Sequence, residues 1–332
     1  MAILLSGAAG FIGSHVAQAL LARGEAVIGI DNLNGYYDVS LKQARLTQLM
    51  GQDGFTFHKI DIADRQALKT LFAKTHIDRI VHLAAQAGVR YSIENPDVYV
   101  SSNLQGHANM LELARRNNIR HMVYASSSSV YGGNTKTPFS EDDLTDDPVS
   151  FYGATKKSNE LLSNSYAHLY RVPLTGLRFF TVYGPWGRPD MAYWIFTEKI
   201  TSGQPLRIFN KGDMGRDFTY VDDIVDGVIK ALDNSPVMTT DGLPHRVYNL
   251  GNDSPEELMT MVSLIEEKLG TSAVKVFEEM QKGDVQRTWA DISRARKELG
   301  YDPKVTLEQG LSQFIDWYVG TWERAGRKTV SQ

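Results

Sequence analysis

The sequence predicts an α/β fold, a doubly wound parallel sheet with a smaller mixed α/β substrate domain beside it. Three observations point there. Short apolar or β-branched runs alternate with helical patterns through the first 180 residues, and strands spaced in this way by helices build parallel sheets covered on both faces. Gly7, Gly10 and Gly13 follow the first run and open a helix. Beyond about residue 180 the alternation fades into a stretch thicker in aromatics, prolines and glycines. It reads as a second unit over 181–332, with a soft and interleaved boundary against 1–180.

In order, the strand-like runs are AILLSG, AVIGID, FTFHKID, RIVHLAA, HMVYASS and PLTGLRFF, and between them SHVAQALLARG, DRQALKTLFAKT and NLQGHANMLELARRN read as helices. Two long helices are expected near 96–117 and 151–170. The second half is expected to hold helices near Val221–Asp233, Pro255–Leu269 and Asp291–Leu299. A last one opens on Thr306 with Gln309 three residues on, a capping-box start. In a sheet of this kind the ligand belongs at the carboxyl ends of the strands.

Composition narrows the function classes. The chain has 332 residues, a net charge of -4 and no cysteine, and its sequence pI is near 6.1. No general basic field invites nucleic acid or an anionic membrane. Disulfides, thiolate metal sites and a cysteine nucleophile are excluded, no metal is called for, and a reducing cytoplasm is the expected setting. The opening MAILLSGAAGFIG lacks the basic leader of a signal peptide, and no run is apolar for long enough to span a bilayer.

The glycine triplet lets the chain turn tightly and brings backbone N–H groups near a pyrophosphate at a helix N-terminus. Its G-x-x-G-x-x-G spacing is not the common G-x-G-x-x-G, and alone it suits a plain glycine-rich turn equally well. Asp31 at the end of the second strand can accept hydrogen bonds from a ribose diol and repel a 2'-phosphate, which favours NAD over NADP. It also suits a surface loop start. Phe11, Ile12 and Asn32 flank these residues. Asp61 and Ile62 after the third strand, and Leu83, Ala84, Ala85 and Gln86 after the fourth, are expected along the same cleft. Asn103 is either a further cofactor contact or a helix-surface amide.

Tyr152 and Lys156 in FYGATKK lie four apart, on one face of a helix. A phenol with a pKa of roughly 10 is a poor base unless positive charge lowers that value, and Lys156 can supply the charge. The run ASSSSVYGG brings Ser126, Ser127 and Ser128 to the end of the fifth strand. A hydroxyl there can steady a substrate oxygen during proton transfer, although some of these serines can simply satisfy their own backbone.

The strings GAAGFIG, SSSSVYG, YGATK and RDFTYVDDIVDGV, in this order along nearly the whole chain, resemble the extended short-chain dehydrogenase/reductase family in its nucleotide-sugar epimerase branch. The resemblance implies a Rossmann-like domain with tightly held NAD, Ser127 as catalytic hydroxyl, Tyr152 as acid/base and Lys156 as its partner and ribose ligand, Tyr152 and Lys156 thus both touching the cofactor. Asn103, Ser126 and Phe179 join the implied cofactor contacts. The implied cycle oxidises a UDP-sugar at carbon 4 and returns the hydride to the other face. Relatives that dehydrate tend to carry an Asp-Glu pair before VYG, and decarboxylases a Glu; here Ser128 and Ser129 stand there, which counts against both chemistries.

The stretch YGPWGRPDMAYW, residues 183–194, sets Arg188 in a stiff loop after the sixth strand. With LAAQAGVRYS and DNLNGYYD it resembles branch members acting on UDP-glucuronate, which implies interconversion of UDP-glucuronate and UDP-galacturonate. UDP-glucose as substrate, or decarboxylation of UDP-glucuronate, are the alternatives. A planar guanidinium suits a carboxylate, so Arg188, with Thr181, Ser127 and Ser128, is expected to clamp the sugar carboxylate and hold the keto acid against loss of carbon dioxide. Arg90 is a second candidate for an anionic group. Arg216 matches the diphosphate-binding position of relatives. Arg287 is either a second diphosphate ligand or solvated, and Ile208 and Phe209 are expected near uridine. Trp186 and Trp194 read as packing that stiffens the loop. A homodimer is expected through the two long helices.

Overall fold

The computed structural model describes residues 1–236, 242–281 and 284–326. The first half runs β1 (Ala2–Ser6), α1 (Phe11–Ala22), β2 (Ala26–Asp31), α2 (Val39–Leu49), β3 (Phe55–Lys59), α3 (Arg65–Lys74), β4 (Ile77–His82), α4 (Tyr91–Glu94), α5 (Pro96–Tyr99), α6 (His107–Arg116), β5 (His121–Ser127), α7 (Phe151–Tyr170) and β6 (Leu174–Phe179). The second half adds β7 (Thr181–Tyr183), α8 (Ala192–Thr201), β8 (Leu206–Ile208), β9 (Gly215–Tyr220), α9 (Val221–Asp233), β10 (His245–Leu250), β11 (Pro255–Glu257), α10 (Leu258–Leu269), β12 (Lys275–Phe277), α11 (Ser293–Leu299) and α12 (Leu307–Trp317).

Seven strands form one parallel sheet in the order β3-β2-β1-β4-β5-β6-β10. The order reverses between β1 and β4, and that switch point opens a crevice above the strand carboxyl ends. Leu4 and Leu5 of β1 are both fully buried, as expected of a central strand covered on two faces. One apolar layer joins β-sheet residues to α1, α2, α9 and the second half; the other packs α3, α6 and α7 on the opposite face.

The six anticipated runs are β1–β6. The seventh strand, HRVYNL, pairs with β6 from 66 or more residues further along the chain, and its alternation is too brief to stand out. Helix starts also shift where tertiary pairing intervenes: Pro255–Glu257 forms β11 against β9 before α10 begins, so that helix opens at Leu258. The smaller elements are a three-stranded sheet, β11-β9-β7, and the pair β12-β8.

Caps fix the ends of the elements that matter for the site. The Ser150 hydroxyl accepts from the Gly153 N–H at 3.0 Å at the start of α7, and Thr306 and Gln309 form the complete capping box of α12. Among the described residues no helix is long and apolar enough to cross a membrane.

Candidate active site

The nucleotide cradle is shaped by backbone alone. Gly7 leaves β1 at φ +77°, and a Cβ there would stand 2.8 Å from the Ala84 nitrogen; one on Gly13 would stand 2.0 Å from the Gly7 carbonyl oxygen. Only glycine lets β1, α1 and the turn after β4 approach this closely. α1 starts at Phe11 without a side-chain cap and without an acidic residue in its first turn. Its first N–H groups, which a helix cannot pair internally, therefore suit a pyrophosphate.

The cradle's side walls carry the acidic and small residues anticipated there. Asp31 accepts from the N–H groups of Leu33 at 2.8 Å and Ala9 at 3.2 Å, which leaves roughly half of a carboxylate's four acceptor sites for a ribose diol. Asn32 donates to Asp61 at 2.8 Å, joining the ends of β2 and β3. Ile62 packs against Gly106, where a Cβ would lie 2.6 Å from Ile62 Cδ1. Leu83 bonds back to the Ser6 carbonyl at 3.2 Å.

Two of the expected cofactor contacts are otherwise engaged. The Asn103 carboxamide is buried, not on a helix surface: it donates to the Gln86 carbonyl and the Thr155 hydroxyl, both at 3.0 Å, and accepts from the Gln86 N–H at 2.8 Å. It clasps the cradle wall to α7. The Ser126 hydroxyl is also turned inward, donating to Glu160 at 2.6 Å. Neighbouring side chains on a strand point to opposite faces, and here the one beside Ser126 is Ser127.

Ser127 ends β5 opposite Phe179 of β6. It bonds to Ser129 at 3.1 Å and reaches the Tyr152 phenol. Tyr152 and Lys156 share the buried face of α7, with the Lys156 ammonium 6.0 Å from the centre of the Tyr152 ring and 2.8 Å from the Ala125 carbonyl oxygen. Burial raises the Tyr152 pKa, and the Ser127 hydrogen bond and the charge of Arg188 pull it back down. Burial lowers the Lys156 pKa to about 8. The sequence pattern names Lys156 as the charge acting on the phenol; Arg188, across the cleft, is a second positive charge that lowers its pKa.

Arg188 sits in a loop that is held from several sides. Trp186 takes φ +58°. A Cβ on Gly187 would stand 1.9 Å from the Tyr193 hydroxyl oxygen, and that hydroxyl accepts from the Arg188 N–H at 3.2 Å. Arg45 of α2, wholly buried, donates to the carbonyls of Trp186 at 2.9 Å and Gly187 at 2.6 Å and to that of Ala9 in the glycine loop at 3.2 Å. One guanidinium thus binds the cradle to the loop. Trp186 packs at a tilt against Trp317, and the buried Trp194 meets Phe314, Trp317, Tyr318 and Trp322. Both tryptophans are packing, as their setting in the sequence suggested.

Arg188 itself meets a carboxylate of its own loop, that of the exposed Asp190. Its Nε donates to Asp190 at 3.0 Å and its Nη2 donates to the other oxygen, which in turn accepts from the Tyr36 hydroxyl at 3.0 Å. Burial opposes both charges, yet the pairing raises the Arg188 pKa and lowers that of Asp190.

On the far side, Arg216 has no salt-bridge partner among the described residues. It donates to the carbonyls of Gly215 at 2.9 Å and Gln286 at 3.0 Å, and burial lowers its pKa. Arg90 pairs with Asp284 at 3.0 Å and lies over the Phe209 ring. Arg287 pairs with Glu257 at 2.7 Å in a half-exposed position. Ile208 differs from expectation: β8 alternates, so its side chain enters the core while Phe209 stays partly exposed between Arg90 and Arg207.

Sequence reasoning missed Tyr36, Arg45, Tyr99, Glu160, Arg178 and Asp190. Tyr99 lies edge-on to Tyr152 at 6.1 Å. Glu160 follows Tyr152 and Lys156 at further four-residue steps, a periodicity that could have exposed it. It grips Arg178 of β6 through two 2.8 Å bonds, behind the catalytic strand end.

Comparison with known proteins agrees with this geometry. The GDP-mannose 4,6-dehydratase family model matches residues 4–314. UDP-glucuronate 4-epimerase 2 of Arabidopsis thaliana is 48% identical over 342 residues, covering 100% of this chain and 79% of the relative. The crystal structure of UDP-glucuronic acid 4-epimerase from Bacillus cereus, in complex with UDP-glucuronic acid and NAD, superposes with a TM-score of 0.89 at 38% identity, over 96% of this chain and 99% of that one. UDP-glucose 4-epimerase from Thermotoga maritima, with UDP-glucose, gives 0.87 at 31% identity, over 97% and 99%. The chain belongs to the extended short-chain dehydrogenase/reductase family, within the group that the GDP-mannose 4,6-dehydratase model describes.

Proposed function

We propose that this protein interconverts UDP-glucuronate and UDP-galacturonate. Bound NAD supplies the hydride acceptor at carbon 4 and the hydride that is returned to the opposite face. Tyr152 takes the proton of the 4-hydroxyl and gives it back, Ser127 holds that oxygen, and Lys156 keeps positive charge beside the phenolate. The uncapped start of α1 and Asp31 fit the pyrophosphate and ribose of NAD. Arg216, a cation without an acid partner among the described residues, is assigned to the substrate diphosphate, with Arg287 and Arg90 beside it.

The observation that carries the choice of sugar is the placement of Arg188: Arg45 ties its loop to the glycine turn, and its charge acts on the Tyr152 phenol. A neutral hydroxymethyl at carbon 5 needs no such cation; a carboxylate does. The relatives named for UDP-glucuronate, at higher identity than the UDP-glucose enzyme, support the same sugar. Holding that carboxylate also keeps the carbon 5–carbon 6 bond out of line with the ketone, so carbon dioxide is retained.

We further propose a homodimer through α6 and α7, supported by the exposed Leu161, Leu169 and Tyr170 along α7, and a reducing cytoplasm, supported by the absence of cysteine. Proton NMR of the purified protein with UDP-glucuronate and no added cofactor tests the activity. UDP-galacturonate is expected to appear without carbon dioxide; an inert substrate or released carbon dioxide refutes the proposal.

A further inference from the structure

We infer that Asp190, steadied by Tyr36, is a positioning residue that presents one chosen edge of Arg188 to the substrate carboxylate. The inference rests on the reading of the substrate as UDP-glucuronate. Asp190 occupies the side of the guanidinium formed by Nε and Nη2, with the Tyr36 hydroxyl beside the same pair, while no hydrogen bond of Nη1 is found among the described residues. A guanidinium carries five N–H donors in a fixed plane, so a carboxylate on one edge leaves the Nη1/Nη2 edge able to take a second. The neighbouring acid therefore orients the fork without filling it.

Three features make this a brace and not a chance surface pair. Asp190 is held at a second point by the Tyr36 hydroxyl at 3.0 Å, from a loop 154 residues away in sequence. Tyr36 is itself fixed: its ring lies 4.8 Å from that of Tyr91, and a Cβ on Gly88 would stand 2.6 Å from its hydroxyl oxygen, so glycine there makes the room. The loop backbone under Arg188 is tied down by Arg45 and Tyr193. Backbone, fork and counter-charge are all located before substrate arrives.

The consequence concerns the 4-keto intermediate. If the carboxylate turns, the carbon 5–carbon 6 bond breaks, its electron pair passes to the carbon 4 carbonyl as an enolate, a proton is taken up, and carbon dioxide leaves. A fork free to rock permits that turn; a braced fork prevents it. Displacements of about 1 Å change reaction rates by about a hundredfold.

The test is the partition of UDP-glucuronate labelled with ¹⁴C at carbon 6, in the holoenzyme and in Asp190→Asn, Tyr36→Phe and Arg188→Ala, read as trapped ¹⁴CO₂ per UDP-galacturonate formed. Asp190→Asn is expected to raise that ratio by about tenfold or more, well within the range such misplacement allows, with the inhibition constant of UDP unchanged. Tyr36→Phe, which keeps the ring and so the fold, is expected to raise it less. An unchanged ratio in both variants overturns the brace, as does a fall in KM with an unchanged ratio, which would mean that Asp190 competes for the fork. If Arg188→Ala changes neither KM nor turnover of UDP-glucuronate, the assignment of the substrate carboxylate fails instead.

Discussion

Two arginine–carboxylate pairs stand on either side of the chemistry, and their settings differ. Arg178 and Glu160 meet through two 2.8 Å bonds with side chains 5% and 6% exposed, and every neighbour is internal: Ser126, Tyr131 and, through Tyr131, Asn249. Arg188 and Asp190 use the same paired geometry with side chains 24% and 30% exposed, and among the described residues no hydrogen bond of the arginine's Nη1 is found. The first pair locks α7, the carrier of Tyr152 and Lys156, against β5 and β6. The second is the pair proposed to meet the substrate. Arg178 is bonded at all three of its nitrogens and serves the scaffold; Arg188 is bonded at two, which suits the ligand role proposed for it.

Breaking the closed pair gives the largest expected effect. Glu160→Gln leaves Arg178 buried without its counter-charge, and chemical denaturation is expected to show a loss of about 3–5 kcal/mol. Asp190→Asn, on the open pair, is expected to cost within about 1 kcal/mol of stability. Equal losses would erase the distinction.

Activity is expected to reverse that ranking. Arg188→Ala is expected to lower kcat/KM for UDP-glucuronate by about 10²–10³-fold, as for loss of a preorganised charged donor, while its melting temperature changes little. A stability loss matching that of Glu160→Gln would instead make Arg188 scaffold.

A smaller effect is written in pH. The Lys156 ammonium is lost as pH rises through about 8, so turnover is expected to fall above that value, and Lys156→Arg is expected to move the falling limb upward. Stability through this same group runs the other way. The unfolded chain holds the proton up to the ordinary lysine pKa near 10.5, so it binds more protons than the folded chain between about 8 and 10.5 and folding gains as pH climbs. Parallel pH profiles of melting and turnover check the opposed signs.

The smallest effect probes remote support of the loop. Thr306→Ala removes the cap of α12, whose Trp317 backs Trp186. A loss of about 1 kcal/mol is expected, with substrate preference unchanged.

The contrast between the pairs also explains what was legible in the sequence. Six of the seven strands of the large sheet, the glycine cradle and the Tyr152–Lys156 face follow local rules: alternation, tight turns and the helical period. The seventh strand depends on a return from the second half, which periodicity does not register. Arg188 could be singled out because the loop around it is stiff, but its partner could not. Asp190 becomes meaningful only when Tyr36, 154 residues earlier, arrives beside it, and Arg45 shows its role only when α2 meets a loop 141 residues later. Asn103 and Ser126 suit a cofactor wall by position, but the buried hydrogen bonds that engage their side chains depend on partners far along the chain, Gln86, Thr155 and Glu160, and are not legible there.

The central claim is that the open pair reads a carboxylate on carbon 5. Its most direct test is kcat/KM for UDP-glucuronate and for UDP-glucose, measured on the natural protein and on Arg188→Ala. The account predicts a preference for UDP-glucuronate of about a hundredfold or more, the scale of one charge-assisted contact, which collapses in the variant because only the UDP-glucuronate value falls. A variant in which both substrates lose equally, or a natural protein that prefers UDP-glucose, would contradict it.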